Sequence, residues 1–232
     1  MKKIIIFDAY GTLFDVNAAA RNYSKKIADP DFIKIWSKVS NLWRDKQIGY
    51  TWYYNSIGYR TNFWKITEDA LDYALEFYDL NKNDNLKSDL LELYKELDTF
   101  PEVLGVLKEL KSAGYPSAIL SNGTMEMLNN AATKSNINNH LDIILSAEKL
   151  GAFKPNEKVY NLVLDHFGCD IEDFVFVSSN GWDAAGGTAF GFSSIWINRN
   201  KLPKEKIQWE PTWIGSDLNA VLHILWLKIK DI

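Results

Sequence analysis

Cysteine occurs once in this sequence, at Cys169, which excludes a disulfide within the chain and a cysteine metal cluster. Following Gly168 in a turn, it reads as an ordinary thiol. Histidine is nearly as scarce, with His140, His166 and His223 the only three. No dense run of Lys and Arg is present, because residues 201–206 are diluted by Pro203 and Glu205. The formal net charge of −4 likewise disfavours nucleic acid as a partner. Long apolar runs are missing too. The run after Lys2 and Lys3 stops at Asp8, too soon for a signal-peptide core, and residues 220–229 are interrupted by His223 and Lys228 and too short for a bilayer. The expectation is a cytoplasmic protein with no membrane partner. Internal repeats, low-complexity tracts and Gly/Ser linkers are also lacking.

What remains is an ordinary globular composition, 47% hydrophobic and 24% charged over 232 residues, enough to bury a substantial core. Short apolar, β-rich runs at 4–7, 117–120, 141–145, 174–177 and 194–197 read as buried parallel strands. Helical patterns alternate with them at 102–113, 125–134, 156–167 and 182–190, with Gly114 and Gly168 as stops. Strand-helix alternation predicts a doubly wound α/β sheet.

Residues 16–98 break that alternation. They contain no convincing strand, and apolar residues recur at helical spacing: Phe32, Ile35, Trp36, Val39, Leu42 and Trp43, then Leu71, Ala74, Leu75 and Tyr78, then Leu86, Leu90, Leu93 and Leu97. The reading is a helical cap over 16–98 inserted into a core of 1–15 and 99–232, joined by short hinges near Val16 and Thr99. Trp36, Trp43, Trp52 and Trp64 are expected mainly as cap core, with one or two lining a small apolar pocket.

In open α/β sheets, ligands sit beyond the carboxyl ends of the strands. Asp8 follows the first predicted strand, Ser121 and Asn122 the second, Lys154 lies in the loop after the third, and Ser178, Asn180 and Asp183 follow the fourth. The polar groups thus share one edge. Each also has a plainer reading: Asp8 bonding the turn at Gly11, Thr12, Ser121 or Asp183 serving a helix N-terminus, Arg44 and Lys154 solvated, and Asn122-Gly123 a turn.

Asp8-Ala9-Tyr10-Gly11-Thr12 resembles the first motif of the haloacid dehalogenase superfamily. Trp43-Arg44-Asp45-Lys46-Gln47, Ser121-Asn122-Gly123, Lys154-Pro155 with Tyr160, and Val177 to Asp183 extend the resemblance, in order, to the L-2-haloacid dehalogenases. Phosphatase members carry a second Asp where this chain has Tyr10. A departing alkoxide needs a proton and a halide does not, so the substitution points from phosphorus to carbon.

The resemblance implies hydrolysis of short L-2-haloalkanoates to D-2-hydroxyalkanoates with inversion at C2. Asp8 would be the nucleophile, oriented by Thr12 and held ionised by Lys154, with Tyr160 as companion. Arg44 and Asn122 match the halide-binding positions, and Ser121 with the backbone N–H groups of Ala9 and Tyr10 the carboxylate site. Tyr10, Ile48, Phe63 and Trp182 match the apolar pocket, with plain cap packing a close competitor at Ile48 and Phe63. Asp183 with Asn180 would activate water, and Ser178 would tie the Asp8 and Lys154 network together. Ser178-Ser179 stands where phosphatase relatives place an acidic magnesium ligand, so no metal or cofactor is expected.

The histidines are badly placed to be a base. His140 precedes a strand at the opposite sheet end, and His166 and His223 lie in predicted helices, which disfavours an α/β-hydrolase dehalogenase with an Asp and His pair. Relatives' homodimers imply a dimer here, with the aromatic-rich helices as contact area. Asp45 and Gly49 depart from the family pattern: Asp45 could pair with Arg44 or repel an anionic substrate, and Gly49 could alter cap rigidity. Two alternatives stay open, a small-molecule phosphatase of the same superfamily and a non-catalytic binding protein on its scaffold.

Overall fold

The computed structural model describes residues 2–27, 30–82 and 84–229. Among them the strands β1 (Ile4–Phe7), β2 (Ser117–Ser121), β3 (Ile143–Ser146), β4 (Phe174–Ser178), β5 (Ser193–Ile197) and β6 (Trp213–Gly215) form one parallel sheet in the order β3-β2-β1-β4-β5-β6. Strands β1, β2 and β4 are buried along nearly their whole length, as their unbroken apolar runs require. The chain winds outward from β1 to one side and then, through β4, to the other. The reversal leaves a crevice at the carboxyl ends of β1 and β4, with Asp8 and Ser178 at its mouth.

Helices α1 (Ala18–Ile27), α2 (Pro30–Ile57), α3 (Phe63–Phe77) and α4 (Asp84–Lys95) come between β1 and the first helix of the sheet layer, α5 (Val103–Ser112). Where the chain departs and returns, Phe14 bridges Thr99 and Asp15 N–H donates to the Asp98 carbonyl at 2.8 Å. Helix α3 buries Phe63, Ile66, Thr67, Ala70, Leu71, Ala74 and Leu75, a stripe at three- and four-residue intervals. Helix α2 buries Val39, Trp43, Gln47 and Thr51, one step per turn. Two polar residues, Gln47 and Thr51, therefore sit in a seam that begins with Val39.

Of the four cap tryptophans only Trp43 is fully buried, with Trp36 and Trp64 half-buried. Trp52 departs from the expectation of cap core: it is 41% exposed and sets its ring edge-on to Trp182, 5.6 Å between centroids. The reason is register, since Trp52 falls one residue past Thr51 and hence off the seam.

The sheet layer continues with α6 (Met125–Lys134), α7 (Glu157–Phe167), α8 (Gly181–Phe190) and α9 (Asn219–Ile229). Helix α7 ends on Gly168 in the left-handed region, φ +62°, as expected of that stop. Strand β6 and helix α9 are absent from the sequence-based expectation. Three residues at a sheet edge carry too little periodicity to register, and residues 220–229 read from the sequence only as a run too short for a membrane span. Strand β3 starts two residues later than expected, after a 3₁₀ turn at Asn138–His140. No helix among the described residues is long and apolar enough to cross a membrane.

Gly49, inside α2, would meet nothing within 4 Å if it carried a Cβ. Gly in a helix interior costs about 0.8–1 kcal/mol relative to Ala. Gly49→Ala is expected to raise the melting temperature by about 2–4 °C, read by thermal denaturation. An unchanged or lower midpoint would mean that flexibility at this turn serves the native state.

Candidate active site

Asp8 leaves β1 with its backbone N–H on the Val177 carbonyl at 2.9 Å, which sets it against the end of β4. Both of its carboxylate oxygens are engaged. Lys154 Nζ donates to Oδ1 at 3.0 Å, and Thr12 Oγ1 and Asn180 Nδ2 donate to Oδ2, each at 2.9 Å. Thr12 lies in a turn, caps no helix, and accepts the Ser179 N–H at 2.8 Å, tying the β1 loop to the β4 loop.

Lys154 is only 1% exposed. An unpaired ammonium there would be strongly disfavoured, and two carboxylates compensate it: Asp8 and, at 3.0 Å, Asp183 Oδ2. Burial alone pushes the Lys154 pKa down, but Asp183 and then Asp8 outweigh it and the net shift is upward. Asp183 is itself fully buried, which lifts its pKa first; Lys154 opposes that lift and the Asp8 charge adds to it. Its other oxygen accepts the Tyr160 hydroxyl at 2.8 Å. Tyr160 reaches it only because α8 has Gly186 there, where a Cβ would sit 2.6 Å from the phenol oxygen. Burial first, and then Asp183, push the Tyr160 pKa well up, so it stays a donor.

Asn180 occupies the N-cap position of α8 yet makes no capping bond with its side chain. Its amide serves the site instead, donating to Asp8 and to the Tyr10 carbonyl at 3.1 Å and accepting from Arg44 at 3.3 Å. Forgoing a side-chain cap costs about 0.5–2 kcal/mol. Ser178 does less than expected: in place of a link to Asp8 and Lys154, its hydroxyl accepts the Asn180 N–H at 3.2 Å. Two residues apart at the strand end, the pair forms a local turn bond.

Ser121 caps no helix, since Thr124 caps α6; its Oγ accepts the Gly123 N–H at 3.1 Å. Asn122 Oδ1 accepts the Lys154 N–H at 2.7 Å, which fixes the Lys154 loop to β2. Among the described hydrogen bonds the Ala9 and Tyr10 N–H groups donate to no protein acceptor. Gly123 packs under the Tyr10 ring, where a Cβ would come within 2.8 Å.

From α2, Arg44 lays its guanidinium over these loops. It donates to the Tyr10 carbonyl at 3.0 Å, to Asn180 Oδ1 and to Gln47 Oε1 at 2.7 Å. Asp45, expected as a partner or repeller, is exposed and makes no ion pair with Arg44, because successive helix residues do not face each other. Asp8, Tyr10, Arg44, Ile48, Phe63, Ser121, Asn122, Lys154, Asn180 and Trp182 line one pocket together, joined by Thr51. Its free space is about 20 Å³, about enough for one water. A larger ligand must displace a side chain. Trp182 is half-buried and also lines a second, open cavity of about 530 Å³.

Sequence reasoning missed Thr51, Gln47 and Asn55. Asn55 exchanges two hydrogen bonds with the Phe153 backbone, 2.7 and 2.9 Å, clasping α2 to the Lys154 loop. A signal was present: 44, 47, 48, 51 and 55 share one helix face. Among the described residues no group of three or more His, Cys, Asp or Glu could hold a metal ion.

This arrangement provides a buried carboxylate aimed by three donors, a second carboxylate beside it, and a cation above. Residues 2–191 match the haloacid dehalogenase-like hydrolase family. The (S)-2-haloacid dehalogenase 4A of Burkholderia cepacia is 41% identical over 228 residues, covering 98% of this chain and 95% of that protein. A crystal structure of an L-2-haloacid dehalogenase superposes with a TM-score of 0.90 at 35% identity over 97% of this chain and 99% of the other. That of the L-2-haloacid dehalogenase from Xanthobacter autotrophicus with chloropropionic acid covalently bound gives 0.85 at 28%, over 97% and 99%. Fold and sequence agree, and the chain belongs to the haloacid dehalogenase-like hydrolase family, in the branch of the (S)-2-haloacid dehalogenases.

Proposed function

We propose that this protein hydrolyses short L-2-haloalkanoates to D-2-hydroxyalkanoates through an ester on Asp8. One observation carries the reading: an aimed carboxylate and an uncompensated guanidinium, Asp8 and Arg44, share one small pocket. An Asp8 oxygen attacks C2 as the halide departs with the bonding pair toward Arg44 and Asn122. Ser121 and the free N–H groups of Ala9 and Tyr10 hold the substrate carboxylate, and Tyr10, Ile48, Phe63 and Trp182 enclose the alkyl group. Each Asp8 oxygen already has a donor, so the one left as ester carbonyl is stabilised during hydrolysis.

A water then gives one proton to Asp183 and attacks that carbonyl carbon, the acyl–oxygen bond breaks, the proton passes to the departing alkoxide, and Asp8 releases the water's second proton to solvent to return as a carboxylate. Asp183 accepts from Tyr160 and Lys154, one on each oxygen, and is fully buried outside the lining of the pocket, so the water must reach it past the pocket wall that Lys154 helps to form. The covalent adduct in the Xanthobacter relative supports the ester.

Tyr10 argues against the phosphatase alternative. Burial first, and then Tyr94, raise its pKa well above that of an ordinary phenol, so it is a poor acid for a leaving alkoxide. The test is chloride release from both enantiomers of 2-chloropropionate with chelator present, expected for the L form alone. Magnesium-dependent phosphate release without halide release would establish a phosphatase, and neither release would leave a binding protein.

In this reading 16–98 is the cap and 1–15 with 99–232 the core, of which residues 1, 28, 29, 83 and 230–232 lie outside the described residues. A homodimer is part of the proposal. Exposed Tyr53, Ile57, Tyr73 and Phe77 on α2 and α3 offer apolar contact area, and light scattering of the purified protein reads the state directly. A cytoplasmic location fits the lack of a membrane-spanning helix among the described residues.

A further inference from the structure

Arg44 is held entirely by neutral oxygens, those of Gln47, Tyr10 and Asn180, and no carboxylate among the described residues pairs with it. Gln47 is only 1% exposed, and its amide can face just one way. The Thr67 hydroxyl proton goes to the Phe63 carbonyl at 2.7 Å, so Thr67 Oγ1 is an acceptor toward Gln47 Nε2 at 2.6 Å. That leaves Gln47 Oε1 for Arg44 and for the Tyr94 hydroxyl, 2.7 and 3.2 Å away. Turning the amide over would set its NH₂ against the Arg44 guanidinium, which can only donate. One residue before Arg44, Trp43 Nε1 donates to the Thr67 carbonyl at 2.8 Å, locking α2 to α3 beside the relay.

A carboxylate at position 47 would grip a guanidinium more tightly, because charge-assisted bonds are roughly twice as strong. It would also discharge it. A neutral amide holds the geometry and leaves the positive charge for an incoming anion. We propose that Gln47 is a positioning residue for carbon-halogen cleavage, fixing Arg44 through the Thr67 relay while keeping its charge uncompensated. This inference rests on the dehalogenase reading above.

The test is Gln47→Glu, which keeps the acceptor toward Arg44 and Tyr94 and adds a charge. Halide release and ester hydrolysis are timed separately in rapid-quench experiments with 2-chloro- and 2-bromopropionate. The expected result is halide release slowed at least tenfold, more for chloride than for bromide, with ester hydrolysis unchanged. Thr67→Val removes the anchor of the Gln47 amide and is expected to show the same pattern more weakly; it decides the matter if Gln47→Glu does not fold. Unchanged halide release in an active parent, or equal slowing of both steps with both halogens, overturns the role of Gln47 alone. A parent that releases no halide from any 2-haloacid overturns the function as well.

Discussion

Asp8→Asn is expected to abolish dehalogenation, a loss on the order of the 10⁶ seen when a covalent nucleophile is removed elsewhere. An amide of the same shape cannot attack C2, and the change leaves buried Lys154 with Asp183 as its remaining carboxylate. The fold should hold, at reduced stability, since breaking part of a buried ionic cluster is destabilising. The parent enzyme offers the sharper measurement. In a single turnover with excess enzyme in oxygen-18 water, the first hydroxyacid should carry no label in its hydroxyl, and the heavy oxygen should remain on Asp8. Later turnovers should then label the product. Heavy oxygen in the first product's hydroxyl would mean that water attacked C2 directly and that Asp8 is a base or a bystander.

Asp183→Asn should stop the second half of the reaction and spare the first. Mass spectrometry of the variant after incubation with L-2-chloropropionate should find the substrate's carbon skeleton attached to Asp8, with about one halide released per active site. The variant has a structural consequence as well. Asp183 accepts from both Lys154 and Tyr160, whereas an asparagine has a single acceptor oxygen, so one of these donors is left facing an NH₂ group. Melting should therefore come at lower temperature than in the parent, and a buried donor left unsatisfied costs about 1–3 kcal/mol. Rapid turnover with no trapped ester would remove Asp183 from the role of base.

Read along the chain, the central strands are legible, because a strand buried on both faces needs an unbroken apolar run, and β1, β2 and β4 have one. The inserted helices were equally plain from their spacing. Because parallel strands deliver their carboxyl ends to one edge, Asp8, Ser121, Asn122, Lys154, Asn180 and Asp183 could be assigned to one place without coordinates. Local chemistry of this kind depends on neighbours a few residues apart, which a sequence displays directly.

Partnership is a different matter. Lys154 meets Asp8 across 146 residues and Asp183 across 29, and nothing local to Lys154 says that it bridges both carboxylates. Asn180 reads as a companion of Asp183, Ser178 as a network link and Gln47 as one letter of a motif; in the fold Asn180 meets Asp8, Tyr10 and Arg44, Ser178 meets the Asn180 N–H, and Gln47 meets Arg44. Periodicity reports whether a residue is buried and says nothing of which donor or acceptor it meets. Hydrogen bonds are directional and charges are compensated by whatever packs against them. The sequence by itself determined the fold class and the sheet edge where Asp8 and the other polar residues gather. Only the tertiary structure decided which oxygen each donor reaches and that the Arg44 charge is left free, since those depend on how α2, α3 and the loops after β1 and β4 are brought together.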